Sequence, residues 1–563
     1  MKRIFLVLTL VLALSAPLGA QSLEDAYRFG TTDYTGTART MALGGAMGAI
    51  GCDLGSIGIN PAGSAVAGYS QFTISPNLSL ASSGSAFALT PSADAGPVQS
   101  RNHAAFTLPN IGISARYDSY SGGPLKSFTL AFVVNSTYDY HTVSSGSGIN
   151  DRTSKFAELA AAANGIPHDY IATSEFYNDS KYYNYWDVAM AYEVGLINSY
   201  GDAADYVGCS EVLTDLGAHY VPGELIQNSL RTITGTKNDI LMNMAFNFND
   251  RLYFGLNIGL PVISYSSTEQ FSEVSKVPEL FPVVFNYSDG TQQTTYFSNA
   301  SYQYNYWASG SGVYAKLGAI WLPFAGLRLG AAYQSPTAFM IDESWVHSGS
   351  VGYTGGQKYS GSGKTGTYQY NYTSPQMLDL SLAYTFGTLG FLSFDYTLTD
   401  YGHIKYEDSY NPGSFDFTNT AMRLFSGVSH TLRAGLELNI TPDFSIRGGY
   451  SIRTCPEKYY YQEDASVNGG YYTIGFGDYN DDYYYGRLDL PAKSYYYDEY
   501  TDSFSAGFGY NPAGSFFADI AVRYTRYPKT NYQPYYGYAG MDTPQIRIAS
   551  GLWNAALTFG WRF

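Results

Sequence analysis

Seven histidines are scattered through the chain, as His103, His141, His168, His219, His347, His403 and His430. A zinc protease would set two of them around a Glu on one helix face, and no HExxH run occurs. A GxSxG nucleophile elbow and a phosphate-cradling P-loop are also missing. One histidine is enough to ligate a haem, but the default for each is an ordinary polar loop or lumen residue. Cys52, Cys209 and Cys455 are too few, and odd in number, for a disulfide framework. A Cys209–Cys455 bridge is possible, since both fall near the same end of the topology below. The richest oxygen cluster is Asp478, Asn480, Asp481 and Asp482 before Tyr483-Tyr484-Tyr485. Oxygens at alternate positions resemble the start of a calcium loop, but Tyr483 stands where the turn glycine belongs and no Glu closes the loop. The plainer reading is a solvated acidic loop tip. No catalytic residue, metal ligand or cofactor is therefore nominated, and the chain does not read as an enzyme.

The elements around these residues are strands. Lys2 and Arg3, an apolar run over 4–14 and Leu18-Gly19-Ala20 have the layout of a secretory signal peptide over residues 1–20. The apolar run is too short to span a bilayer as a helix. The full chain carries 31 basic and 47 acidic residues, a net charge of −16. That balance and the export signal argue against a nucleic-acid partner. Tyr (56), Gly (60) and Phe (32) are abundant while charged residues make up only 14%, a composition that suits strands and turns better than helices.

The end of the chain alternates strictly. Trp553, Ala555, Leu557, Phe559, Trp561 and Phe563 share one face, opposite Asn554, Ala556, Thr558, Gly560 and Arg562. A soluble sandwich alternates too, but here the apolar faces often end in aromatics and the polar faces carry Arg, Glu and Asp in mid-strand. Short and long connections also alternate, as in bacterial outer-membrane barrels. Strands are expected at 70–80, 105–117, 125–139, 235–249, 251–270, 300–321, 325–346, 367–386, 388–407, 426–440, 442–457, 497–510, 513–529 and 548–563. The fold class expected is all-β, a fourteen-stranded antiparallel transmembrane β-barrel spanning 65–563. The even count puts both termini in the periplasm, and an unpaired sheet edge is not tolerated in lipid. The connection 140–234 is the longest and least strand-like. Helices are expected over 151–164, stopped by Gly165 and Pro167, and over 224–230. They could cap the outer mouth or simply pack as a surface loop.

Residues 21–64 precede the first strand and are rich in small side chains: Leu43-Gly44-Gly45-Ala46, then Asp53, then Asn60-Pro61-Ala62-Gly63. Small residues permit close backbone approach, and Asn-Pro followed by Gly builds a fixed turn. Such a segment suits a compact plug inside the barrel, whereas a flexible tail would be more charged. Together with Arg39, Ala49-Ile50, Lys316-Leu317-Gly318 and the run 328–336, this pattern resembles the FadL/TodX group of outer-membrane transport proteins. The resemblance spans essentially the whole chain. It implies fourteen strands, an N-terminal hatch, a monomer, and passive uptake of hydrophobic molecules, typified by long-chain fatty acids. It also implies a strand irregularity that opens the wall sideways to the membrane lipid. The hatch positions it nominates are Asp53, Asn60, Pro61, Ala62 and Gly63. Ligand-contacting residues do not map, because the loops are unlike those of the best-known members. A non-transporting barrel serving as adhesin or protein-secretion shuttle is the alternative, and the apparent plug argues against a general porin.

Overall fold

The computed structural model describes residues 23–90, 93–120, 122–200, 204–214, 219–286, 291–456, 471–477, 483–489, 500–535 and 543–563. Fourteen antiparallel strands close into a barrel. In chain order they are β1 (Gln71–Ala88), β2 (Gln99–Asp118), β3 (Leu125–Asp139), β4 (Leu225–Phe248), β5 (Leu252–Ser275) and β6 (Gln292–Trp321). β7 comprises Leu327–Gln334 and Ala338–Tyr353, and β8 comprises Gly366–Thr373 and Gln376–Thr385. β9 (Gly390–Asp400), β10 (Val428–Asn439), β11 (Phe444–Thr454), β12 (Tyr500–Tyr510), β13 (Phe516–Arg526) and β14 (Gln545–Arg562) complete the wall. β14 pairs back to β1 from Gln71↔Arg562 to Ala88↔Gln545, and Ser70 and Phe563 exchange backbone hydrogen bonds at the seam. No sheet edge is left at the closure, as a bilayer requires.

The barrel is inside-out relative to a soluble protein. On β10, Leu432 is 55% exposed and Arg433 only 7%. On β14, Trp553, Leu557, Phe559 and Trp561 point outward while Asn554 and Thr558 are buried. An apolar band of this extent is stable only against lipid. Among the described residues no helix is long and apolar enough to cross a membrane, so crossing is by strands.

Several boundaries differ from expectation for physical reasons. Ser335-Pro336-Thr337 splits β7 and Ser374-Pro375 splits β8, because proline cannot donate to the ladder. The break is bridged locally, Ser374 N–H donating to Thr337 O (2.9 Å) and Thr337 N–H to Ser374 Oγ (3.1 Å). The helix expected over 224–230 is strand. Leu225–Phe248 runs straight through it and pairs with Thr142–Asn150, so available ladder partners override local helix propensity. The helix expected over 151–164 forms as Lys155–Ala163, capped by the Ser154 side chain on Phe156 N–H. Asn249 and Asp250 both take left-handed backbone (φ 54° and 56°), the geometry of a two-residue hairpin turn. No bridge joins Cys209 to Cys455. Residues 1–20 and the acidic cluster 478–482 lie outside the described residues.

Residues 151–200, 204–214 and 219–224 hold a cap over one mouth of the barrel, with its own apolar core. Phe156, Leu159, Phe176, Met190, Leu196 and Tyr206 pack there against wall residues Phe297, Tyr302 and Val351.

Candidate functional site

The N-terminal segment lies inside the barrel, and the wall is shaped to receive it. A side chain added at Gly318 on β6 would place its Cβ 2.1 Å from Asn60 Oδ1, and one at Gly255 on β5 would sit 2.3 Å from the Pro61 carbonyl carbon. Gly330 on β7 meets Gly48 O at 2.6 Å and Gly449 on β11 meets Gly44 N at 2.3 Å in the same sense. Glycine in strand interiors marks close approach of another chain segment; here that segment is residues 43–62, by side chain at Gly318 and by backbone at Gly255, Gly330 and Gly449. Gly318 and Gly330 stand in the sequence pattern noted above without a role, and Gly255 and Gly449 are not singled out there. Their inward register on otherwise regular strands was the available signal.

Each nominated hatch residue has a definite place. Asp53 accepts from Thr37 Oγ1 (2.7 Å), Thr40 Oγ1 (2.9 Å) and Gly55 N–H (2.8 Å), capping the short helix Leu54–Gly58. Asn60 donates to Gly48 O (2.8 Å) and to Ala319 O on β6 (3.1 Å), and its Oδ1 accepts from Ala62 N–H (3.1 Å). Pro61 O accepts from Asn243 on β4 at 3.0 Å. Ala62 is fully buried against Ala245 and Ile320. Gly63 O accepts from Cys52 N–H at 3.0 Å, which closes the 51–63 loop. The contacts of these five residues lie within the segment or with β4–β6.

Ion pairs unrecognised in the sequence fasten the rest. Arg39 grips Glu437 on β10 through two hydrogen bonds (2.8 and 3.0 Å), and Arg447 on β11 joins the same carboxylate at 2.6 Å and also Asp519 on β13. Arg523 on β13 binds both carboxylate oxygens of Asp33, at 2.8 and 2.6 Å. Lys316 pairs with Asp379 at 2.8 Å beside the Tyr34 hydroxyl.

Above the segment the lumen is lined with aromatics. Tyr302, Tyr304 and Tyr306 follow one another on the inner face of β6, Phe339, Trp345 and His347 on β7, and Tyr368, Tyr370 and Tyr372 on β8. The row begins at the cap core and ends in a chamber walled by Tyr140, Tyr265, Tyr306, Tyr370, Tyr372 and Tyr406. Glu343 accepts there from Tyr306 (2.6 Å) and Tyr370 (2.5 Å). A helix, α1 (Leu23–Gly30), stands in the chamber with Ala26 and Phe29 fully buried.

The wall beside this chamber is interrupted. The β2–β3 ladder stops at Asn110↔Asn135, just where Pro109 lacks an N–H, and Gln99 to Thr107 of β2 pair with β1 alone. Past that point the ladder of β3 with β4 slips at Ser136/Tyr138, and the carbonyls of Thr137 and Ser136 accept from Asp33 N–H (2.6 Å) and Thr35 N–H (3.3 Å) of the N-terminal segment. The chain beyond β3 pairs with β4 through Thr142–Asn150 and turns inward, Gly146 against Ile546 and Gly148 against Phe87.

The fold and site define a filled transmembrane β-barrel with an interrupted seam and an aromatic-lined lumen. No family model and no curated protein matches the chain. Among solved structures it is similar to the toluene transporter TodX of Pseudomonas putida, with 12% identity over 94% of this chain and 98% of that one and a TM-score of 0.43. It is also similar to a Pseudomonas aeruginosa FadL homologue (11% identity, 95% and 100% coverage, TM-score 0.46) and to the Ralstonia pickettii toluene transporter TbuX (13%, 94% and 98%, TM-score 0.39).

Proposed function

We propose that this chain is a passive outer-membrane channel for hydrophobic molecules, gated by its N-terminal segment. The observation that carries the reading is the continuity of parts. An aromatic row leads from the cap to a chamber, the chamber borders the interrupted β2–β3 seam through Tyr138 and Tyr140, and the segment's Asp33 and Thr35 hold that seam's free carbonyls. A molecule entering under the cap keeps to aromatic surface, which shields apolar atoms from water. Withdrawal of residues 33–35 frees the seam, and the molecule leaves sideways into lipid. Nothing in this route needs an energy source. The short turns and both termini face the periplasm, the chain works as a monomer, and long-chain fatty acids are one candidate cargo.

The test is uptake of a labelled apolar compound by cells whose outer membrane contains the barrel, against cells that lack it and against a variant without residues 21–64. Faster uptake with the intact barrel, altered by the deletion, supports the channel. Equal uptake in all three sinks it and leaves a barrel that displays its cap for adhesion or secretion.

A further inference from the structure

The chamber is made of tyrosine where phenylalanine or leucine would serve a bare hydrocarbon. Of its hydroxyls, Tyr306 and Tyr370 are used on Glu343, and Tyr372 donates to Ala26 O of α1 at 2.7 Å. The hydroxyls of Tyr140 and Tyr406 are different. Both side chains are almost wholly buried, at 3% and 1% exposure, and neither hydroxyl has a hydrogen-bond partner among the described residues. Both lie around Tyr372, Tyr406 by ring contact at 5.3 Å and Tyr140 within electrostatic reach. A hydroxyl buried without a partner is costly, and native interiors rarely keep one without a use.

What occupies the chamber indicates what else fits it. Phe29 of α1 stands edge-on to Tyr265 and Tyr372, with ring centres 6.0 and 6.5 Å apart, while the neighbouring Ala26 carbonyl takes the Tyr372 hydrogen bond. The helix thus offers the chamber one aromatic ring and one hydrogen-bonding oxygen. We propose that the transported molecule is a small aromatic compound bearing a hydroxyl or similar hydrogen-bonding group, a phenol in the simplest case. It takes the place of α1, and Tyr140 and Tyr406 read its polar group. This rests on the channel reading above and narrows it. Apolar surface selects ring-sized bodies weakly, whereas a site with hydroxyls to satisfy discriminates against the analogue that lacks the partner.

The experiment compares p-cresol with p-xylene, which match in shape and differ by hydroxyl for methyl. Binding of each to the full barrel in detergent is measured by saturation-transfer NMR, for the natural chain, Tyr140→Phe, Tyr406→Phe and a chain lacking residues 23–30. The natural chain is expected to prefer p-cresol, and each Phe variant to lose roughly fivefold of that preference, about one hydrogen bond's worth. p-Xylene binding stays unchanged in the Phe variants, which also reports an intact chamber. Removing residues 23–30 is expected to tighten p-cresol binding. Equal affinity for the two compounds in the natural chain, or Phe variants that weaken both alike, overturns the assignment while leaving the channel standing. Binding of neither compound, together with no uptake in cells, overturns the channel reading itself.

Discussion

Gly318→Ala is the sharpest test of how the N-terminal segment is held. The new Cβ would lie 2.1 Å from Asn60 Oδ1 and 2.7 Å from Pro61 Cδ. Relieving those contacts needs a shift of about 1 Å, given carbon–carbon optima of roughly 3.5–4.0 Å. The strand is pinned on both sides by its ladders to β5 and β7, so Asn60 must move. Asn60 anchors Gly48, Ala319 and Ala62 through three hydrogen bonds. At about 1 kcal/mol each, with about 1–3 kcal/mol for overpacking, the substitution weakens docking of residues 48–62 by roughly 4–6 kcal/mol. The wall ladders are untouched, so the barrel still assembles. Conductance in planar bilayers and protease cleavage within 36–66 are the readouts. Gly448→Ala serves as control, since a Cβ there meets nothing within 4 Å. The expected result is raised conductance and cleavage for Gly318→Ala and neither for Gly448→Ala. If Gly318→Ala stays as quiet and as protected as the natural chain, the wall glycines do not act as docking sites.

Glu437→Gln leaves Arg39 and Arg447 without their shared carboxylate inside the lumen. Stranding buried charge costs about 3–5 kcal/mol, so unfolding in denaturant should shift to lower concentration, and an unchanged midpoint would count against the network. In the cap, Glu273 lies high on β5, beyond the roughly ten residues that span a bilayer, and is fully buried with Ser154, Ser210, Lys155 N–H and Gln227 as donors but no cation. Burial pushes its carboxyl up to about 7. The folded cap therefore holds this proton more tightly than the unfolded chain. Its contribution is full below about 4.5, the ordinary glutamate value, and is lost as pH rises through about 7. Hydrogen exchange of Lys155–Ala163 should accordingly speed up between pH 5 and pH 8 beyond the intrinsic rate, and Glu273→Gln should abolish that excess.

The wall was legible because period-2 alternation reports directly which face meets lipid. On β14 the side chains assigned outward from sequence are those exposed in the structure. Strand ends were less legible. Leu225–Phe248 begins ten residues before the expected 235, because polar residues above the membrane plane lose the apolar alternation while keeping their ladder partners. Pro336 and Pro375 were visible as letters, but only the local bridge between Thr337 and Ser374 explains how two strands bend together without opening. Asp53, Asn60 and Pro61 could be nominated from the resemblance, whereas their partners could not, since Thr37, Ala319 and Asn243 are distant in sequence or chemically ordinary. The tyrosine chamber was invisible for the same reason. Its members come from α1, β5–β8 and the segments after β3 and β9, and only closure of the barrel brings them together.

The central claim is that cargo leaves through the seam beside Asn110 and Asn135. The direct measurement uses a single cysteine at Thr107, on the stretch of β2 that pairs with β1 but not with β3, in a chain with Cys52, Cys209 and Cys455 replaced by alanine. Uptake of the apolar probe is measured before and after labelling with a bulky maleimide, and compared with the same label at Tyr410 on the exposed loop after β9. The account predicts that the label at position 107 abolishes uptake and the label at 410 does not. Undiminished uptake with the seam position fully labelled would contradict it.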